Sequence, residues 1–188
     1  MFIQTEQTPN PQTLKFLPGK VVMESGTAFY QTVDEAGDSP FARRLFAIEG
    51  VSGVFFGSDF ITITKNDSYE WQVMKPSVLG GIIDHFNSGD ITVEKEIEKE
   101  AKKSLQTNED DSDIVKQIKE LLDTRVRPAV AMDGGDIIYD DFADGVVYLK
   151  MQGACSGCPS STATLKMGIE NMLKHYIPEV QEVRPVDA

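Results

Sequence analysis

Cys155 and Cys158 are the only thiols in the chain, and their spacing lets both sulfurs face one point. The segment reads Gly153-Ala154-Cys155-Ser156-Gly157-Cys158-Pro159-Ser160-Ser161. Gly157 permits a tight turn between the cysteines. Pro159 suits the first position of a helix, where its missing N–H would be unpaired anyway. Cys158 is therefore expected close to a helix N-terminus, where unpaired backbone N–H groups and the helix dipole favour thiolate over thiol. Thiolate is the form that binds metal, so the segment favours ligation.

A structural zinc ion and a cluster held wholly by protein each ask for four ligands, and one chain supplies two. The two histidines are poor supplements. His175 lies on the helix expected after Cys158, roughly 25 Å further along at 1.5 Å per residue, and His85 belongs to the other half of the chain. A two-fold dimer in which each copy gives one Cys-x-x-Cys pair completes the set. That arrangement suits a four-iron cluster and a shared zinc equally. A thiol-disulfide oxidoreductase is a third reading. Against it, the motif follows an α-β-β prelude rather than an early strand of a larger βαβ sheet, and no aromatic residue directly precedes the first cysteine.

The elements that must position this segment follow from periodicity. Ser112 or Asp113 can cap a helix whose stripe is Ile114, Val115, Ile118, Leu121 and Leu122, ended or kinked at Pro128. Strands are expected near Asp136–Phe142 and Val146–Met151, with Asp144-Gly145 as the hairpin turn. After the thiols, Leu165, Ile169, Met172, Leu173 and Tyr176 mark a helix stopped by Pro178, and 180–186 adds a last strand. The order is α-β-β-α-β.

The first part of the chain reads as a second small α/β unit. Strands are expected at Phe2–Thr5, Thr13–Leu17, Val51–Phe56 and Phe60–Thr64. One helix begins behind Ser39-Pro40 and carries Phe41, Leu45 and Ile48; another runs from Pro76 to Phe86, with Trp71 as an anchor near its start. Between the units, Glu94 to Asp113 is dominated by charge and reads as a solvated linker. The expected fold is thus α/β (α+β), with two small domains at 1–92 and 112–188 and an acidic linker at 93–111.

Composition narrows the partners. A net charge of −12 opposes sequence-independent binding of nucleic acid or of an anionic membrane. No apolar run reaches the ~20 residues needed to span a bilayer. The first twelve residues lack the basic start and apolar core of a signal peptide, and no Arg-rich presequence is seen. A bacterial cytoplasm is the expected compartment, or the mitochondrial matrix for a processed eukaryotic form.

Two separated motifs carry a resemblance. Arg127-Pro128 with Asp133-Gly134-Gly135-Asp136, followed by the thiol segment, resembles the C-terminal domain of NifU and the Nfu iron–sulfur carriers. Thr5-Glu6-Gln7-Thr8-Pro9-Asn10-Pro11-Gln12-Thr13-Leu14-Lys15-Phe16 resembles the Nfu N-terminal domain. The resemblance implies a [4Fe-4S] cluster shared between two chains of a homodimer, ligated by Cys155 and Cys158, and passed on to apo iron–sulfur client proteins after receipt from an upstream donor. The N-terminal domain would recognise clients or donors.

Other residues carry plainer expectations. Asp133-Gly134-Gly135-Asp136 is a turn entering a strand, with Asp136 a local hydrogen-bond acceptor. Met132, Met151, Met167 and Met172 are expected in the core, with Met167 alternatively facing a partner. His85 and His175 are expected at the surface or as caps. Ser160, Ser161 and Thr162 suit a helix start and have no histidine–carboxylate set beside them, so no enzymatic turnover is expected.

Overall fold

The computed structural model describes residues 1–93, 111–157 and 159–186, with the backbone alone at Asp38 and 159–161. The chain divides into two compact units, Met1–Ser104 and Leu105–Ala188. The charged segment 94–110, expected as a linker, lies outside the described residues, as does Cys158. No described helix is long and apolar enough to cross a membrane.

In the first unit, strands β1 (Gln4–Gln7), β2 (Thr13–Leu17), β3 (Ala28–Tyr30), β4 (Val51–Phe56) and β5 (Ile61–Lys65) form an antiparallel sheet in the order β1-β2-β5-β4-β3. Helices α1 (Pro40–Phe46) and α2 (Trp71–Ser88) complete it. Phe16, Phe41, Leu45, Phe56, Ile61, Ile63, Val78 and Ile82 are its fully buried centre. Ser39 caps α1 as its sequence suggests, its hydroxyl accepting from the Ala42 N–H at 3.0 Å. Helix α2 starts five residues before Pro76, a correction to the expected boundary. The Trp71 indole N–H donates to the Pro11 carbonyl at 3.2 Å, and Met74 is buried. Tertiary anchoring therefore adds a turn ahead of a proline that sequence alone would take as a start.

Two neighbouring glycines in α2 differ in cause. A Cβ on Gly81 would press on Ile48 Cδ1 at 3.3 Å, so its bareness lets α1 approach; one on Gly80 would meet nothing within 4 Å. Gly80→Ala should therefore stabilise this unit by about 0.5–1 kcal/mol through helix propensity. The check is the urea transition followed by Trp71 fluorescence, where Gly81→Ala should gain less or lose.

His85 corrects a second expectation. Its side chain is only 1% exposed and stacks on the Phe41 ring with centroids 3.7 Å apart. Burial, helped by the nearby charge of Arg44 and opposed by Asp90, lowers its pKa from 6.5 to about 4. Between those values the unfolded chain binds the proton and the folded chain does not. Stability of this unit should therefore fall as pH drops from 6.5 toward 4, by on the order of 3 kcal/mol from this group. His85→Phe should flatten that part of the pH dependence of the Trp71 transition; an unchanged slope would contradict it.

The second unit begins at the acidic edge of the chain. Asp111 accepts from the buried Lys119 ammonium at 2.7 Å, and that ammonium also lies over the Tyr139 ring. Burial first, then Asp141, Asp111 and Asp140, push the Tyr139 phenol up to about 12. Helix α3 (Asp113–Leu121) is capped by Ser112, whose hydroxyl accepts from the Val115 N–H. A π-helical turn (Leu122–Val126) leads into α4 (Arg127–Met132), so the helix passes through Pro128 and ends four residues later. Within the wide turn the Arg127 N–H donates to the Leu122 carbonyl, five residues back. This local widening relieves the clash of a proline ring with the carbonyl four residues before it. Ile118, Leu122, Val126 and Val130 form the buried stripe.

Strands β6 (Gly135–Ala143) and β7 (Val146–Gly153) make the expected hairpin. Asp144 and Gly145 both have positive φ, 51° and 80°, as a tight two-residue turn requires. Burial alternates along β7, placing Val147, Leu149 and Met151 in the core. Helix α5 (Pro159–Tyr176) then crosses over to β8 (Glu182–Val186), which pairs parallel to β7. The α-β-β-α-β order is as the sequence suggests, and the chain as a whole is a mixed α/β protein of two domains.

Candidate functional site

The segment holding Cys155 hangs between the inner end of β7 and the first residue of α5. Its geometry is set by glycines. Gly135 and Gly153 face each other as the last pair of the hairpin, and Gly134, Gly153 and Gly157 all have positive φ. The Ala154 N–H donates to the Gly134 carbonyl at 3.1 Å, and the Ser156 N–H to the Gly153 carbonyl at 3.1 Å. The Thr162 hydroxyl on α5 donates to the Cys155 carbonyl at 3.4 Å. The Asp133-Gly134-Gly135-Asp136 turn, expected to lead into a strand, is thus also stitched to the thiol loop.

Gly135 does more than turn. Its backbone is ordinary, but a Cβ there would lie 2.6 Å from Cys155 Sγ and 2.7 Å from the Gln152 carbonyl oxygen. Cys155 itself is 7% exposed and belongs to the core of the unit. The sulfur therefore rests on bare backbone, in a space that any side chain at 135 would take.

Asp136, one residue further, is 3% exposed. Arg127 grips it with two bonds, Nε to Oδ1 at 2.8 Å and Nη2 to Oδ2 at 2.7 Å. The Ile137 N–H adds a third at 2.8 Å. Arg127 Nη1 also reaches Asp123 at 3.1 Å. Burial alone would lower the Arg127 pKa, but the bonds and charge of Asp136, then of Asp123, more than reverse that and hold it protonated. The expectation of Asp136 as a local acceptor holds, and its donor was missed. The legible signal was a pair of opposite charges nine residues apart, straddling the junction of helix and strand.

The remaining candidates separate. Met151 is buried and Met172 half-buried, but Met132 is 76% and Met167 65% exposed. Met132 ends α4, and Met167 lies opposite the Ile169–Leu173 stripe of α5, so both leave the expected core. His175 is exposed. Among the described residues no group of three or more His, Cys, Asp or Glu side chains could hold a metal ion.

The match to known proteins covers both units. Residues 3–89 match the model described as scaffold protein Nfu/NifU N terminal, and 118–184 match the NifU-like domain. The human NFU1 iron-sulfur cluster scaffold homolog, mitochondrial, is 54% identical over 188 residues, covering 99% of this chain and 72% of its own length. NifU-like protein 4, mitochondrial, from Arabidopsis thaliana is 52% identical over 185 residues, covering 97% of this chain and 65% of its own length. The solution structure of a NifU-like protein from Saccharomyces cerevisiae aligns with 50% of this chain and 86% of its own, at 27% identity and a TM-score of 0.46. Two domain models in chain order, and a relative more than half identical along the chain, identify it as a member of the Nfu/NifU scaffold family.

Proposed function

We propose that the chain is a carrier that holds a [4Fe-4S] cluster between two copies of itself, on Cys155 and Cys158 of each, and passes it to apo iron–sulfur proteins. One observation carries the reading. The Cys155 loop is framed by glycine backbone, Gly135 leaving room for a bulky sulfur, and among the described residues no group of three or more His, Cys, Asp or Glu side chains could hold a metal ion within one chain. A second chain then completes a four-thiolate set. The names of the relatives, iron-sulfur cluster scaffold and NifU-like, support the cargo.

The cluster is cargo, so the chemistry is ligand exchange. At each step an incoming client thiol gives up its proton and forms an Fe–S bond. The departing Cys155 or Cys158 sulfur takes up a proton as its own Fe–S bond breaks, and the redox state of the cluster is unchanged. A donor loads the dimer by the reverse steps. The first unit, without cysteine, serves to recognise partners. The mitochondrial relatives favour the mitochondrial matrix over a bacterial cytoplasm as the place of work.

The test is anaerobic reconstitution with iron and sulfide, followed by metal and sulfide analysis, optical spectrum and mass in solution. The expected result is a brown dimer with about two irons per chain that restores activity to an apo iron–sulfur enzyme. A colourless monomer that takes up no iron would overturn the reading. A dimer that binds zinc and does not release it would replace the cluster with a structural zinc site, and a monomer that reduces disulfides would point to a dithiol oxidoreductase.

A further inference from the structure

The seating of Cys155 conflicts with the duty assigned to it. A sulfur that bridges to a second chain has to face outward, yet this one lies in the core against the Gly135 backbone. Across the segment that carries it, the Ala154 N–H reaches the Gly134 carbonyl and the Thr162 hydroxyl makes one long bond, 3.4 Å, to the Cys155 carbonyl. At either end stands a glycine of positive φ, Gly153 at 64° and Gly157 at 75°. Such residues rotate between backbone regions at little steric cost. A Cβ at Gly157 would meet nothing within 4 Å, so nothing described blocks the loop on that side. By contrast, the wall behind the sulfur is rigid, because Gly135 is paired in the hairpin and its neighbour Asp136 is held by Arg127.

We propose that Gly135 is a positioning residue that seats the Cys155 sulfur inward while the chain is unloaded, and that residues 154–156 swing out on Gly153 and Gly157 when a cluster is taken up. The unloaded carrier thereby withholds one thiol of its pair from oxidants and stray metals. What draws the loop outward rests on the cluster-carrier reading; the inward seat does not.

The first measurement is alkylation of the reduced, metal-free full chain with iodoacetamide, resolved by cysteine with tandem mass spectrometry. Cys155 should react at least about 30-fold more slowly than in the urea-denatured chain, the protection given by a local opening equilibrium. Equal rates would overturn the proposal. In Gly135→Ala the added methyl takes the sulfur's seat. Cys155 should then react about tenfold faster than in the wild-type chain while Cys158 keeps its rate, a contrast that a general loosening would not produce. A folded Gly135→Ala chain with Cys155 still slow would overturn the seat. Should that variant fail to fold, Thr162→Val, which removes only the hydroxyl bonded to the Cys155 carbonyl, should speed Cys155 several-fold, and no change would count against the proposal.

A second measurement reads the swing in the loaded dimer. The Ala154 amide should exchange its hydrogen faster with a cluster bound than without one, because its bond to Gly134 is broken. A loaded dimer with that amide equally protected would overturn the swing. A chain that never loads, yet shows the slow Cys155, would defeat the carrier reading alone.

Discussion

Cys155→Ala is expected to abolish cluster uptake, lowering the iron retained after reconstitution at least about tenfold. In the proposed shared site, one substitution in the gene removes two of the four thiolates. Cys158→Ala should do the same. The substitution at 155 also takes a sulfur out of the core, where Cys155 is 7% exposed. Losing one buried atom costs about 1 kcal/mol, too little to unfold a domain of ordinary stability. The far-UV spectrum and thermal transition should therefore survive while the brown colour and the dimer are lost. A variant that keeps wild-type iron would remove Cys155 from the ligand set.

Arg127→Ala should be among the most damaging changes in the second unit, costing about 3–5 kcal/mol. It strips the Asp136 carboxylate, 3% exposed, of both guanidinium bonds and of the charge that balances it. Arg127→Lys should fall between, since a point-like ammonium cannot span both oxygens as the guanidinium does. The pair need not add stability over an apolar pair of like volume. The double variant Arg127→Met with Asp136→Leu should thus lose less than the single variants would sum to. Hydrogen exchange of the β6–β7 amides is the appropriate measure, because Trp71 reports on the other unit. Loss of the grip should also loosen Gly135 and shorten the life of a bound cluster. An Arg127→Ala hairpin as protected as that of the parent would show the pair to be unimportant.

Much of the second unit was legible because its signals are local. The Asp144-Gly145 turn, the alternation along β7 and the four-and-three spacing from Leu165 to Tyr176 each depend on neighbours a few residues away. What escaped depends on distant partners. Strand β3 has three residues and exists through its pairing of Ala28 with Phe56 and Tyr30 with Val54. His85 lies on the buried face of α2, which its position shows, but its burial required Phe41 from another helix. Met132 was placed in the core by residue type, whereas the end of a helix exposes whatever residue falls there. At the thiols, residue identity and spacing carry the proposed cluster chemistry. The inward seat of Cys155 was hidden, since it needs the bare backbone of Gly135, twenty residues earlier.

The wide turn ahead of Arg127 has a consequence for angular phase. Ile118, Leu122, Val126 and Val130 recur at intervals of four, yet all are buried on one side. In a regular helix, at 100° per residue, three such steps drift by about 120° and would carry Val130 off the core. The π-helical turn from Leu122 to Val126 takes up that drift, as one inserted residue does. An unbroken run of fours is therefore a readable mark of under-winding. Here the under-winding sets the compass bearing of everything that follows it, turning Arg127 toward the strand where Asp136 waits beside the cysteine's seat.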